Sequence, residues 1–122
     1  QITTVNVLSG AFGKDENGKD VGYATLYGRP AQLAIVDLVT YEVKKVVEFP
    51  EGPSGFYAIV FASDGNLYLG SNPNGHLYRY RPGADAPEDL GGAWGGCKFV
   101  WDMVEGADGK LLSTGSGAYI VS

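Results

Sequence analysis

Short runs of alternating apolar and polar residues cover most of the chain, and each run ends at a turn signal. Asn17-Gly18 and Asp64-Gly65 are pairs typical of tight hairpins. Residues 34–49 have some helical periodicity, but many are β-branched, which favours two strands with a turn between them. We therefore predict an all-β chain. Its strands are predicted at 2–8, 23–27, 32–37, 42–49, 57–62, 66–71, 76–81, 89–90, 99–104, 110–114 and 118–121.

Part of this pattern repeats. SDGNLYLGSNPNGHLYRY at 63–80 returns as ADGKLLSTGSGAYIVS at 107–122, so that Asp64-Gly65 aligns with Asp108-Gly109 at an offset of 44 residues. That period, with four strands in each repeat, is typical of a β-propeller blade. We predict a single domain over 1–122, an incomplete propeller of about two and a half four-stranded antiparallel blades. Blade one covers 1–52, blade two 53–94, and a truncated blade three 95–122.

The chain is long enough for only part of a closed propeller. Even four blades would need roughly 176 residues, and this chain has 122. We expect the remaining blades to come from the same parent chain or from other copies, unless the chain is a fragment. The third blade lacks its outer strand, which would leave unpaired backbone groups, and the flat inner faces of blades one and three need neighbours. An isolated monomer is therefore expected to be marginal or to associate.

The net charge and the composition limit the classes of binding partner that we expect. The net charge is −5 with no run of Lys or Arg, so nucleic acid is not an expected partner. No apolar stretch is long enough to cross a membrane. A local basic cluster would still suit an acidic polysaccharide. The single Cys97 excludes an internal disulfide, and the start at Gln1 rather than Met fits a cleaved secretory signal, so a secreted or extracellular location is expected.

Three segments resemble a family. LYGRPAQLAIVDLVTYEV, DGNLYLGSNPNGHLYRYRPGADAPEDLG and FVWDMVEGADGKLLSTGS are similar to blades of secreted bacterial seven-bladed propellers. Similar blades occur in streptogramin-lyase-like and quinoprotein-like propellers and in propeller polysaccharide lyases that act on uronic-acid polymers. The resemblance implies the fold, and for the lyases it implies His, Tyr and Arg around a central channel. Blade one departs most, because a long polar loop replaces its Asp-Gly hairpin.

In a propeller the first strand of each blade lines the channel, and its start shares a face with the loop between the second and third strands. Side chains from several blades can converge on that face. The rule selects ten residues: Arg29, Gln32, Tyr57, Asn72, Asn74, His76, Trp94, Lys98, Trp101 and Asp102.

His76 and Arg29 are the candidate catalytic residues. His76 is the only histidine, and a lyase acting on a uronate needs a base for the proton α to the carboxylate and a cation for the developing charge. The competing interpretation is that His76 merely begins an exposed strand. The other blades have Gln32 and Ala118 at that position, so the fold itself does not require an imidazole.

The other positions have alternatives too. Tyr57 and Trp101 could stack on sugar rings or pack between blades. Asp102 could bind a structural cation, pair with Lys98, or face a wet channel; no other cofactor is expected. The interleaved Tyr and Arg of residues 78–81 suit either an extended polymer or a solvated face.

The leading hypothesis is therefore a segment of a secreted carbohydrate-active propeller, lyase-like or polysaccharide-binding. The alternatives are a non-catalytic scaffold for protein–protein interaction and an inactive structural fragment. These come from different classes, and the sequence does not choose between them.

Overall fold

The computed structural model describes residues 7–50, 53, 55–72, 75–92, 102–114 and 118–121. These residues form strands and turns, with no helix. The strands are β1 (Val7–Lys14), β2 (Asp20–Leu26), β3 (Gln32–Asp37), β4 (Val43–Glu48), β5 (Gly55–Phe61), β6 (Leu67–Asn72), β7 (His76–Tyr80), β8 (Glu88–Gly92), β9 (Asp102–Glu105), β10 (Leu111–Thr114) and β11 (Ala118–Val121).

The strands pair in chain order into three antiparallel sheets. Sheet one contains β1–β4, sheet two contains β5–β8, and sheet three contains β9–β11. The all-β, antiparallel prediction is confirmed, and residues 34–49 form two strands around a turn, as expected. A search of the described residues for a helix that could cross a membrane finds none.

The first described strand differs from its prediction. It was expected to end at residue 8, but β1 continues to Lys14 and pairs with β2 up to Asp20. Gly10, Ala11 and Gly13 are weak strand formers, so the sequence pattern did not predict this extension of β1. Gly13 has a structural reason, because a Cβ there would lie 2.5 Å from the ring of Phe61 in sheet two.

The main core lies between sheets one and two and is built on aromatic rings. The rings of Phe49 and Phe56 are 4.3 Å apart, and Tyr78 packs edge-on against both, at 5.5 and 5.7 Å. Farther along, Phe61 stacks on Tyr23 at 5.8 Å. Aliphatic side chains from both sheets complete this cluster: Val21, Leu33, Ile35, Val47, Leu67 and Leu69.

A smaller core lies on the other face of sheet two. Ala58 and Leu77 pack there against Met103 of sheet three. Side chains alternate along a strand, so sheet two buries one face on sheet one and the other on sheet three. The first strands run along this stack: β1 contacts β5, and β5 contacts β9.

Hydrogen bonds also join sheets one and two, at a point where the first strand of each sheet has a register shift. β1 has one extra residue between Val7 and Ser9, and β5 has one between Phe56 and Ala58, the pattern of a β-bulge. The carbonyl of Phe56 accepts hydrogen bonds from the hydroxyls of Ser9 and Thr25, at 2.9 and 3.1 Å. Sheet one thus satisfies a backbone group of sheet two.

Sheets two and three are joined differently. The carboxylate of Glu105 accepts hydrogen bonds from the backbone N–H of Ser63, at 2.9 and 3.1 Å, and also bonds the Ser63 hydroxyl. Ser63 lies in the turn between β5 and β6. A side chain of sheet three therefore caps a turn of sheet two.

A buried carboxylate organises the hairpin between β1 and β2. Asp15 accepts hydrogen bonds from the backbone N–H of Asn17 and of Lys19, each at 2.9 Å, and from Lys44 Nζ at 2.7 Å. The ammonium group of Lys44, followed by these backbone donors, lowers the pKa of Asp15 to about 2. This geometry is that of a structural turn.

We expect Thr25→Val to destabilise the protein by about 1–3 kcal/mol, because it removes a donor from a buried carbonyl while keeping the side-chain volume. Urea unfolding measures the change. Thr40→Val, in an exposed turn, is the matched control and should stay within about 0.5 kcal/mol of wild type. Equal losses in the two variants would contradict the importance of the Phe56 carbonyl.

Asp15 also predicts a pH dependence. In the unfolded chain this carboxyl takes up a proton near its ordinary pKa of about 3.9, whereas in the folded protein its pKa is about 2. Its contribution to stability is therefore complete above about pH 5 and is lost progressively as the pH falls towards 2. Urea midpoints between pH 6 and pH 2 should fall less steeply in Asp15→Asn than in wild type. Asp85→Asn, at an exposed carboxylate, is the control.

Candidate functional site

The starts of the first and third strands lie at the same end of each sheet. The register shows this directly, because Val7 pairs with Leu26, Gly55 with Asn72, and Asp102 with Thr114. We call this end, formed by the starts of β1, β3, β5, β7, β9 and β11, the His76 end. Of the ten residues selected from the sequence, the six that are described lie at or near it: Arg29, Gln32, Tyr57, Asn72, His76 and Asp102.

Two partners hold His76, and the first is a buried serine. The backbone N–H of His76 donates to Ser71 Oγ at 3.0 Å, and the same hydroxyl donates to the carbonyl of His76 at 3.1 Å. Ser71 is completely buried. Its hydroxyl therefore fixes the backbone from which the imidazole projects.

The second partner is Asp89 on β8. Nδ1 of His76 lies 3.1 Å from each of its carboxylate oxygens, and one of these also accepts the N–H of Gly91 at 2.8 Å. An ionised carboxylate only accepts hydrogen bonds, so Nδ1 must be the donor. In a neutral imidazole this leaves the lone pair on Nε2. His76 is half-exposed, so the ring is oriented but accessible.

Neither partner was selected from the sequence. Asp89 was placed on the outer strand of the second repeat, but its pairing with His76 depends on a register shift between Leu77 and Tyr78. No composition or spacing signal reports such a shift. Ser71 ends its predicted strand and looked like an ordinary small residue.

Asn72 lies next to Ser71 and is 7% exposed. Its Nδ2 is buried and has no hydrogen-bond partner in the part of the chain that the structure describes. Buried amide groups are normally paired, so an unpaired donor is a site where an acceptor oxygen would be stabilised. Asn72 ends β6 and His76 begins β7. Gly70 pairs with Leu77, so alternation along the two strands directs the side chains of Asn72 and His76 to opposite faces of sheet two.

Other side chains that the sequence selected, together with Tyr27, lie at the same end of the sheets. Arg29 lies in the connection between β2 and β3, before a cis peptide bond to Pro30, and Tyr27 precedes it in the same segment. Tyr57 is the extra residue of the β5 bulge and is 44% exposed. Gln32 Nε2 is 3.4 Å from a carboxylate oxygen of Glu48. No hydrogen bond or ion pair joins Arg29 to His76 within the described ranges.

The remaining selected positions contribute less. Asp102 is exposed, and its carboxylate accepts the N–H of the next residue, Met103, at 2.9 Å. Four others lie outside the described residues: Asn74, Trp94, Lys98 and Trp101. Over the ranges that are described, no group of three or more His, Cys, Asp or Glu side chains could hold a metal ion.

The Tyr and Arg side chains of residues 78–81 do not share one surface. Tyr78 and Tyr80 are buried in the core between sheets one and two. Arg79 and Arg81 both bond the carboxylate of Glu88, which lowers its pKa to about 2. This segment is therefore a structural strand with a paired charged face.

Comparison with known proteins bears on the fold alone. Neither a family model nor a curated protein matches the chain. It is similar to a crystal structure of a protein of unknown function from Bacteroides caccae, with a TM-score of 0.55 and 14% sequence identity. The similarity covers 85% of this chain but 38% of the other, so this chain spans less than half the length of that protein.

The orientation of His76 has a spectroscopic consequence. We expect its neutral imidazole to carry the proton on Nδ1, because Asp89 accepts there. Since the chain has a single histidine, its ¹⁵N resonances can be assigned without ambiguity. Asp89→Ala should move the proton to Nε2, whereas Asp108→Ala, in a distant turn, should not. An Nε2–H form in wild type would contradict the assigned pairing.

Proposed function

We propose that the chain forms successive blades of a β-propeller. The support is the 44-residue repeat together with the packing, in which each sheet stacks on the next and the first strands adjoin. Inner strands that adjoin are the radial arrangement of propeller blades. The similar structure from Bacteroides caccae aligns over 38% of its own length, which is consistent with stacked sheets of this kind in a longer protein.

We further propose that the His76 end binds an anionic carbohydrate. The observation that carries this is the half-exposed imidazole of His76, which Asp89 orients so that its Nε2 lone pair is available to a ligand.

The neighbouring side chains support this ligand class. The guanidinium of Arg29 is exposed and matches a uronate carboxylate in shape and charge. Tyr27 and Tyr57 expose aromatic faces on which sugar rings could stack. A cation and two aromatic rings at one end fit an acidic sugar better than a neutral one.

His76 would act as the base of a lyase. Its Nε2 lone pair takes the proton from the carbon α to the uronate carboxylate, and the electrons of that C–H bond form a C=C bond as the β C–O bond breaks. The leaving oxygen takes a proton from His76 or from water. Arg29 stabilises the charge that develops on the carboxylate. The step needs no oxidant or reductant.

Binding is the first test. Calorimetry with a uronic-acid oligosaccharide should give heat, and the equivalent neutral oligosaccharide should bind more weakly. Arg29→Gln should weaken uronate binding roughly tenfold, as expected for a charge-assisted hydrogen bond. Arg81→Gln is the matched control, because Arg81 is also exposed but follows the other end of β7. Equal effects of the two variants would remove the proposed site.

Catalysis is tested separately by the ultraviolet absorbance of the unsaturated product. His76→Gln should abolish the signal while keeping most of the binding. If wild type binds uronates but forms no product, the site is a binding site and the lyase step is wrong. A partner protein captured in place of any sugar would favour the scaffold alternative.

A further inference from the structure

The junction between sheets two and three differs from the junction between sheets one and two at one aromatic contact. Tyr68 corresponds to Tyr23, because each lies two residues before the residue of its strand that pairs just after the bulge. The 44-residue offset places Glu105 at the position of Phe61. Phe61 stacks on Tyr23, with ring centroids 5.8 Å apart and planes 12° apart. In the second junction a carboxylate therefore takes the place of that ring.

An open cavity lies in the second junction beside these two residues. Tyr68 packs against the small core that contains Met103, and alternation along β9 directs Glu105 to the same side as Met103. The cavity that Tyr68 and Glu105 line has a volume of about 420 Å³, within the range of roughly 300–1,000 Å³ that is usual for ligand sites. In the first junction, where Phe61 covers Tyr23, the cavity beside Tyr23 has a volume of about 140 Å³. The second junction thus has room for a ligand.

The charge of this cavity is negative, because its two carboxylates have only neutral partners. Asp64 and Glu105 accept hydrogen bonds from hydroxyl and backbone N–H groups. Within the described ranges, neither forms an ion pair with a Lys or Arg side chain. Arg79 also lines the cavity, but its guanidinium binds both carboxylate oxygens of Glu88, each at 3.1 Å. The apolar part of the wall is formed by Tyr68, Ala62, Leu90 and Leu111.

We propose that this cavity binds a guanidinium group, as carried by arginine. A guanidinium is flat and cationic, so it can stack on Tyr68 in the way that Phe61 stacks on Tyr23, while its charge meets the two carboxylates. A carboxylate has about four acceptor positions, so Glu105 can accept further hydrogen bonds beyond those from Ser63. The apolar part of the wall suits the methylene stem of an arginine.

This inference does not rest on the proposed function. The cavity lies beside the β5–β6 and β9–β10 turns, whereas the His76 end is the opposite end of the sheets. Its negative charge would repel a uronate, so arginine affinity and uronate affinity are separate measurements. A protein that binds uronates but not arginine would contradict only this cavity site, and the reverse result would contradict only the carbohydrate site.

Calorimetry with two guanidinium ligands tests the site and distinguishes their sources. Free L-arginine represents a small metabolite, and a blocked Gly-Arg-Gly peptide represents an arginine of a protein partner. Binding of either supports the proposal, and the tighter ligand identifies the source. L-Citrulline has the same length and a flat end group without charge, so it should bind at least about tenfold more weakly. Heat from neither arginine ligand, or equal affinities for arginine and citrulline, would overturn the proposal.

Two substitutions test whether binding occurs in this cavity. Glu105→Gln should lower the arginine affinity roughly tenfold, since it removes a charge but keeps an oxygen that can accept from Ser63. Glu42→Gln, at an exposed carboxylate in the connection between β3 and β4, is the matched control and should bind like wild type. Leu90 is 43% exposed, so Leu90→Arg should fold, and it places a guanidinium of the chain itself at the cavity.

Leu90→Arg should therefore also weaken arginine binding roughly tenfold, by occupying the cavity and by repulsion between like charges. Circular dichroism checks that each variant is folded. Equal affinities of the Glu105→Gln and Glu42→Gln variants, or a Leu90→Arg variant that binds like wild type, would place the bound arginine elsewhere and contradict the site.

Discussion

The carbonyl of Phe56 is the point on which the arrangement of sheets one and two depends. Phe56 is completely buried beside the β5 bulge, and a buried carbonyl needs hydrogen-bond donors. The hydroxyls of Ser9 and Thr25 supply them from the neighbouring sheet. Two sheets that pack through apolar side chains could slide, whereas hydrogen bonds to one oxygen fix their relative position.

The same bulge links the fold to the candidate site. Because β5 has an extra residue, Phe56 faces the core of sheets one and two while Ala58 faces sheet three, and Tyr57 is left exposed between them. An aromatic ring at the His76 end is thus a direct result of the β5 bulge. Removing the bulge would change the packing of sheet two and the site together.

Much of the fold could be read from the sequence, because strands and hairpins have local signals. Period-two alternation correctly predicted most of the strands from β3 onward, and the Asp64-Gly65 and Asp108-Gly109 turns form with a positive φ at each glycine. The extension of β1 could not be read, because its glycines are there for the close approach of Phe61, which is a contact distant in sequence. Local sequence patterns predict strands and turns, but they do not predict how closely two sheets pack.

The candidate site was only partly predictable for a related reason. The propeller-face rule selected Asn72 and His76, and the repeat alignment showed in addition that the blade does not require an imidazole at His76. The pairing of His76 with Asp89 depends on the register of β7 and β8, and the isolation of the Asn72 amide depends on packing. Asp102, selected as a costly inner-strand charge, is exposed and meets its needs locally. The sequence shows which residues the repeat does not require, whereas strand register and packing decide which of their side chains come into contact.

The two contacts between sheets are chemically different although the repeats are alike. At one position Phe61 lies over Gly13, while at the corresponding position Glu105 caps Ser63 through hydrogen bonds. Neighbouring repeats of similar sequence risk docking in the wrong order as they fold. A phenylalanine cannot cap a turn, and a carboxylate gains nothing over a bare glycine. The divergence of this one position therefore gives each sheet a preferred neighbour, so the order of assembly is encoded in the side chains as well as in the chain connection.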